Sequence, residues 1–191
     1  MTEITVPTVY FDQPGEQHTD RTLAIAQARA EALDLKTILV ATTKGNTGRR
    51  AAQRFEGRHV VVVTHSTGFD EPNVQELTAA NRAAIESAGG RILTCQHAFG
   101  GVGRAVRKAW GTYELEELIA HTLRLFGQGM KVCAEIALMA ADAGLVRTGI
   151  PCLAIAGTGR GADTATVLIP ANAQQFFDLK ILEILAKPRL G

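Results

Sequence analysis

The stretch Thr37-Ile-Leu-Val-Ala-Thr-Thr-Lys-Gly-Asn-Thr-Gly-Arg-Arg50 decides the fold class of this chain. It begins as a β-branched and apolar run, which is typical of a strand buried on both faces. At Thr42 it changes into a loop rich in threonine, glycine and basic residues. Such a loop offers backbone N–H groups, hydroxyl groups and positive charge, which together can hold a phosphate at the start of a helix. The stretch therefore predicts a strand, a phosphate-binding loop and a helix in succession.

The first loop supplies the main candidate ligand contacts. Threonine hydroxyls can donate to an anion, glycines allow the backbone to approach it closely, and lysine adds charge. The alternative is an ordinary strand-to-helix turn with solvated basic side chains. The loop is not a Walker A motif, since no Gly-Lys-Ser/Thr follows at the required spacing. The candidate contacts are Thr42, Thr43, Lys44, Gly45, Asn46, Thr47 and Gly48.

A second strand-to-loop transition follows the same pattern, because Cys152-Leu-Ala-Ile-Ala156 runs into Gly157-Thr-Gly-Arg-Gly-Ala-Asp-Thr164. If both strands lie in one parallel sheet, both loops emerge at its carboxyl edge, where open α/β sheets bind ligands. The glycines superficially fit a dinucleotide fingerprint, but a strand-like run through Ile169 replaces the required helix. A nicotinamide dinucleotide site is therefore not expected. The candidate contacts in this loop are Gly157, Thr158, Gly159, Arg160, Gly161, Asp163 and Thr164.

The rest of the chain alternates short apolar runs with longer amphipathic or apolar segments. Further strands are predicted at 59–64, 91–94 and 166–169, whereas 176–188 fits a helix or a strand. Helices are predicted at 20–33, 46–55, 73–88, 104–109, 113–126 and 130–143. This alternation predicts an α/β fold with a mainly parallel sheet covered on both faces, in one domain spanning 1–191.

Composition narrows the class of protein. The chain has 191 residues, is 46% hydrophobic and 20% charged, and carries a net charge of +1, which indicates a globular protein without a bulk attraction to nucleic acid or membranes. Its three cysteines form no CxxC pair, so neither a disulfide framework nor a zinc site is expected. The start of the chain lacks the pattern of a signal peptide, and we expect a cytoplasmic protein without membrane spans.

Two histidines and one carboxylate are candidates for chemistry. His65, followed by Ser66, comes after the predicted strand 59–64, and His97 comes after 91–94. If these strands are neighbours, both imidazoles face one crevice and can transfer protons or bind a ring. Glu135 lies in the apolar run 132–139, where a carboxylate requires a cation or a function.

Glu135 has two interpretations. A structural ion pair with Lys131, Arg124 or Arg147 is one, and a role in a ligand-binding crevice is the other.

The stretch from Thr37 to Ala52, with His59-Val-Val-Val-Val-Thr64, resembles the carboxyl-terminal domain of pyruvate kinase, and more closely the stand-alone pyruvate kinase alpha/beta domain-like family. Five further stretches carry the resemblance: Gln96-His-Ala-Phe-Gly-Gly-Val102, Gly129-Met-Lys-Val-Cys-Ala-Glu-Ile136, Ala156-Gly-Thr-Gly-Arg-Gly-Ala-Asp-Thr-Ala165, Phe177-Asp178 and Ala186-Lys-Pro-Arg189.

The resemblance implies a three-layer α/β/α sandwich with core strand order 3-2-1-4-5 and an antiparallel fifth strand. It also implies a phosphate on the first loop and FMN as the ligand, since members of the family have been associated with FMN. The catalytic barrel of pyruvate kinase has no counterpart in these 191 residues, and neither has its magnesium-binding carboxylate pair. Pyruvate kinase activity is therefore not expected.

Three functions remain open at this point. The first is a flavoprotein that holds FMN at the carboxyl edge of the sheet. The second is a regulatory protein that binds sugar phosphates as effectors. The third is a hydrolase or lyase acting on a phosphorylated metabolite, with His65 or His97 as base and Glu135 as acid. In each case the expected partner is a phosphorylated small molecule, and association into a homo-oligomer is left open.

Overall fold

The computed structural model describes residues 3–190, and within them the chain forms one seven-stranded sheet. The β-branched and apolar runs identified above form its centre. The strands are β1 (Val9–Phe11), β2 (Thr37–Ala41), β3 (His59–Val63), β4 (Arg91–Leu93), β5 (Cys152–Ala156), β6 (Thr164–Ile169) and β7 (Lys180–Pro188).

The strand order is β1-β7-β6-β5-β2-β3-β4. Strands β2, β3, β4 and β5 run parallel to one another, whereas β6 is antiparallel to both β5 and β7. The five core strands β4-β3-β2-β5-β6 therefore have the predicted order 3-2-1-4-5, and the antiparallel fifth strand is confirmed. The segment that fitted a helix or a strand forms β7, and β1, which pairs with β7, was not predicted.

Helices cover both faces of the sheet, as predicted. They are α1 (Thr19–Ala32), α2 (Asn46–Arg54), α3 (Ala79–Ser87), α4 (Val102–Trp110), α5 (Leu115–Arg124) and α6 (Gln128–Asp142), with 3-10 turns at Glu16–His18 and Ala173–Asp178. Helices α1, α2 and α3 pack on one face, whereas α6 packs on the other, with α5 against α6 and α4 against α5. None of the helices in the described part of the chain is both long and apolar enough to cross a membrane.

Side-chain alternation along the central strands divides the core into two layers. In β2, Ile38 and Val40 pack towards α1 and α2, whereas Leu39 packs towards α6. All three are fully buried, and burial of each such side chain contributes about 1.5–3 kcal/mol. Cys133 and Cys152 belong to the α6 layer, where burial raises the pKa of both thiols to about 12. These cysteines therefore act as apolar core residues.

The predicted start of α3 was wrong. The helix begins at Ala79, not at 73, because Thr78 caps it by accepting the N–H of Asn81 at 3.2 Å. Asn73 has a left-handed φ of 65°, and the side chains of Gln75 and Glu76 bind His65. The segment 73–78 therefore belongs to the loop that follows β3.

Gly48 is required by packing. It lies on the side of α2 that faces the sheet, where an added Cβ would lie 2.5 Å from Val62 Cγ1 and 3.2 Å from Thr42 Cγ2. The absence of a side chain thus lets α2 approach β3.

We expect Gly48→Ala to destabilise the protein, although alanine is favoured in helices by up to about 1 kcal/mol. The added methyl group overpacks the contact with Val62, and the net loss should be roughly 1–2 kcal/mol by urea unfolding. Gln53→Ala, at an exposed position of the same helix, serves as the control and should change stability by less than about 0.5 kcal/mol. A Gly48→Ala protein as stable as wild type would contradict this packing role.

Candidate functional site

The strand register brings the predicted loops to one edge of the sheet. Strand β2 pairs with β3 through Ala41 and Val63, and with β5 through Val40 and Ile155. The chain therefore leaves these three neighbouring strands at 42, 64 and 157. The loops that follow β2 and β5 therefore lie next to each other at the same edge of the sheet.

The loop after β2 is shaped by Thr42. Its buried hydroxyl oxygen accepts the N–H groups of Gly45 at 3.2 Å and Gly48 at 3.4 Å, and Gly45 adopts a left-handed φ of 101°. Since the first N–H groups of a helix have no acceptor within it, this leaves the N–H groups of Asn46 and Thr47 for other acceptors. Thr42 therefore fixes the backbone of the loop, and the positive end of the α2 dipole lies at this loop.

The start of α3 supports the same loop from the side. The N–H of Thr78 donates to the carbonyl of Lys44 at 3.3 Å, and the Asn81 amide donates to that carbonyl at 2.8 Å and to Asn46 Oδ1 at 3.0 Å. The side chain of Thr43 is half-buried, whereas those of Lys44 and Asn46 are exposed. The backbone is thus fixed while polar side chains stay accessible.

The loop after β5 is organised around Asp163, which is fully buried. Asp163 Oδ2 accepts the N–H groups of Gly15 at 3.1 Å and Thr158 at 3.2 Å, and Oδ1 accepts the hydroxyl of Thr164 at 2.8 Å. These bonds give Asp163 and Thr164 a structural role. The residues of this loop that reach the surface are Gly157, Thr158, Gly159, Arg160 and Gly161.

A cluster of rings lies farther along the same edge. The His65 ring lies against Phe69 at a tilt of 31° with centroids 4.0 Å apart, Phe69 stacks on His97 at 4.9 Å, and the two histidine rings are 5.4 Å apart. The two histidines are therefore neighbours at this edge of the sheet. The N–H of Ser66 donates to His97 Nε2 at 3.4 Å, and Arg104 Cζ lies 5.1 Å from the Phe69 ring centre.

Glu135 forms a buried ion pair with Lys131, one turn earlier on α6. Both residues are only 3% exposed. Glu135 Oε1 accepts the N–H of Phe99 at 3.0 Å, and Oε2 lies 3.9 Å from His97 Nδ1, which is an electrostatic contact rather than a hydrogen bond. Of the three predicted cations the structure selects Lys131, and the pair lies directly behind the ring cluster.

Burial and neighbouring charges shift the pKa values of His97 and Lys131. Burial lowers the pKa of His97 to about 4, against the opposing effect of the Glu135 carboxylate, and His65, Lys131 and Arg104 lower it further. Burial also lowers the pKa of Lys131, an effect that Glu135 partly offsets. His97 is therefore a neutral imidazole at neutral pH.

Two members of the cluster were missed from the sequence. Phe69 stacks between the histidines, and Glu76 Oε2 lies 2.7 Å from His65 Nδ1. An aromatic residue in a polar loop after a strand was a signal for Phe69. Glu76 was assigned to a helix, so its role was hidden by the wrong helix start.

The ion pair predicts the outcome of removing the Glu135 charge. Glu135→Gln leaves the Lys131 ammonium buried without its counter-charge, and we expect the free energy of unfolding to fall by roughly 3–5 kcal/mol. A second change, Lys131→Met in the same protein, should recover most of this loss. Urea unfolding at neutral pH measures both effects, and a Glu135→Gln protein that unfolds like wild type would contradict the structural role.

The pKa of His97 predicts how stability depends on pH. The unfolded chain protonates this histidine near its ordinary pKa of about 6.5, whereas the folded chain does so only near 4. Because the unfolded state binds more protons between these values, stability should fall by up to about 3 kcal/mol as the pH drops from 6.5 to 4.

His97→Gln should flatten the pH dependence of stability, whereas the exposed control His121→Gln should leave it unchanged. Unfolding curves recorded across this pH range test the expectation. Equal pH profiles for His97→Gln and wild type would exclude His97 as the source of the pH dependence.

Several solved structures are similar to this chain. A pyruvate kinase from Cryptosporidium parvum is 15% identical over 78% of this chain and 23% of its own length, with a TM-score of 0.39. The pyruvate kinase of that organism in complex with ADP is 16% identical over 84% and 23%, with a TM-score of 0.35. A mutant O-ureido-L-serine synthase is 19% identical over 68% and 48%, with a TM-score of 0.32.

The chain spans about a quarter of the length of the pyruvate kinases it matches. The pattern of the family described as pyruvate kinase, alpha/beta domain, matches residues 20–169. This range includes β2 to β6 and all six α-helices except the first residue of α1. This chain belongs to the pyruvate kinase alpha/beta domain family.

Proposed function

We propose that this domain binds a phosphorylated small molecule, with FMN as the leading candidate, at the carboxyl edge of its sheet. The observation that carries the proposal is the preformed loop at the start of α2. Thr42 holds this loop with two hydrogen bonds, and the N–H groups of Asn46 and Thr47 remain for an external acceptor.

The groups around this loop fit a phosphate monoester. The positive end of α2 favours an anion, and the Thr43 hydroxyl and the exposed Lys44 ammonium add donors beside it. Arg160, exposed on the loop that follows the neighbouring strand β5, can supply a further cation. The fixed backbone lowers the entropy lost on binding.

The ring cluster fits the flat part of a flavin. Phe69 and His97 are nearly parallel, with an interplanar angle of 23°, and the neutral His97 adds no charge to the stacking surface. Bound FMN would supply hydride or electron transfer, which protein side chains lack. The chain's own residues would orient the ring and hydrogen-bond its edge.

Two other functions use the same groups. A sugar phosphate fits the α2 loop equally well and needs no ring surface. With such a ligand the protein would be a regulatory effector-binding protein. A hydrolase or lyase is less well supported, because a pKa of about 4 makes His97 a weak base at neutral pH and its Nε2 already accepts the N–H of Ser66. Glu135 is a poor acid for that reaction, since its oxygens already bind Phe99 and Lys131.

Removal of the anion contacts should weaken FMN binding without unfolding the protein. We expect Thr43→Ala combined with Lys44→Gln to reduce FMN affinity by roughly 1–3 kcal/mol, since bonds to a charged phosphate are lost. Riboflavin lacks the phosphate and should bind wild type and variant equally. Calorimetric titration measures both affinities.

Lys36→Gln is the matched control, because Lys36 immediately precedes β2 at the opposite end from the loop. It should bind FMN like wild type. If wild type binds neither FMN nor a sugar bisphosphate at millimolar concentrations, the proposal is wrong. If both bind but the double variant is unaffected, the phosphate does not lie on this loop.

A further inference from the structure

A polar cavity lies between α4 and α5, separate from the loops that follow β2 and β5. Its volume is about 170 Å³, and its lining includes three arginines and one glutamate, Arg104, Arg107, Arg124 and Glu117. The volume equals roughly six molecules of liquid water, which suits a ligand of amino-acid size. Three cations around one carboxylate make the cavity attractive to an anion.

Glu117 is the unusual member of this group. It is 6% exposed, and no donor among residues 3–190 hydrogen-bonds its buried Oε2. Oε1 lies 2.8 Å from Arg107 Nε, but the N–H does not point at it, so the contact is an ion pair rather than a hydrogen bond. A buried carboxylate oxygen without a donor is destabilising, so it marks a place where a ligand can supply the donor.

The surrounding side chains are held in place. Arg107 lies against the Tyr113 ring, with Cζ 5.4 Å from its centre, and Arg124 Nε donates to Gln128 at 2.7 Å. Glu117 lies in the first turn of α5, where the positive helix end stabilises a negative charge. The cavity therefore presents fixed cations and one fixed anion before any ligand arrives.

We propose that this cavity binds a small zwitterion, a molecule that carries a carboxylate or phosphate together with an ammonium group. The anionic group binds the guanidinium groups of Arg104, Arg107 and Arg124. The ammonium group donates to Glu117 Oε2 and satisfies its missing hydrogen bond. The assignment does not rest on FMN, since Arg107, Glu117 and Arg124 belong neither to the loops after β2 and β5 nor to the ring cluster. Arg104, which also lies against Phe69, is shared by the two sites.

Matched pairs of probes test the proposal on the wild-type protein. L-aspartate and succinate differ by the ammonium group, and O-phosphoethanolamine and ethyl phosphate form the corresponding phosphate pair. We expect at least one amine-bearing probe to bind at millimolar concentrations, about tenfold more tightly than its partner without the amine. The pair that shows the preference tells whether the natural anion is a carboxylate or a phosphate.

The single tryptophan, Trp110, lies three residues after Arg107 on α4, so its fluorescence can report binding alongside calorimetry. Glu117→Gln should abolish the preference for the amine-bearing probe while the protein melts at or above the wild-type temperature, because functional carboxylates often destabilise the fold. Arg107→Gln should weaken both members of a pair about tenfold.

Lys108→Gln, at the next and exposed position of α4, is the control and should bind like wild type. If Arg107→Gln fails to fold because Glu117 loses its cation, the double variant Arg107→Gln/Glu117→Gln replaces it, and it should bind neither probe. The proposal is overturned if no probe binds wild type, if probes with and without the amine bind equally, or if Glu117→Gln keeps the preference.

Discussion

The parallel pairing of β2 with β3 on one side and β5 on the other is the constraint on which the other features depend. Because these strands run in the same direction, their following loops must emerge at one edge. The β-branched and apolar side chains of the strands are buried on both faces, so a one-residue slip in register would exchange the two core layers. The register is therefore strongly fixed, and the spacing of the loops is fixed with it.

The loops that follow β2 and β5 each use a buried polar side chain to hold their backbone. Thr42 does so after β2, and Asp163 does so after β5. Each removes a hydroxyl or carboxylate from direct ligand contact and leaves N–H groups and surface side chains in a defined arrangement. Such preorganisation favours a fixed anion position, because little backbone freedom remains to be lost on binding.

Sequence periodicity predicted the core strands because fully buried β-branched runs such as 59–63 have few alternatives to a central strand. The order of these strands came from the resemblance to a family, not from periodicity. The short strand β1 and the start of α3 were missed because tertiary contacts define them: β1 is held by pairing with β7, and Asn73 by a left-handed turn. The sequence analysis left three cations open for Glu135. The spacing of four residues between Lys131 and Glu135 was the signal that could have singled out Lys131.

The ring cluster and the cavity between α4 and α5 depend on how distant segments pack, so residue spacing alone did not reveal Phe69 or the unpartnered oxygen of Glu117.

The central claim is that the positive end of α2 is a phosphate site. An amide NMR titration with inorganic phosphate tests it most directly. The account predicts that the N–H signals of Asn46 and Thr47 are among those that shift most, with saturation. If these two signals stay in place while phosphate binds elsewhere, the claim is contradicted.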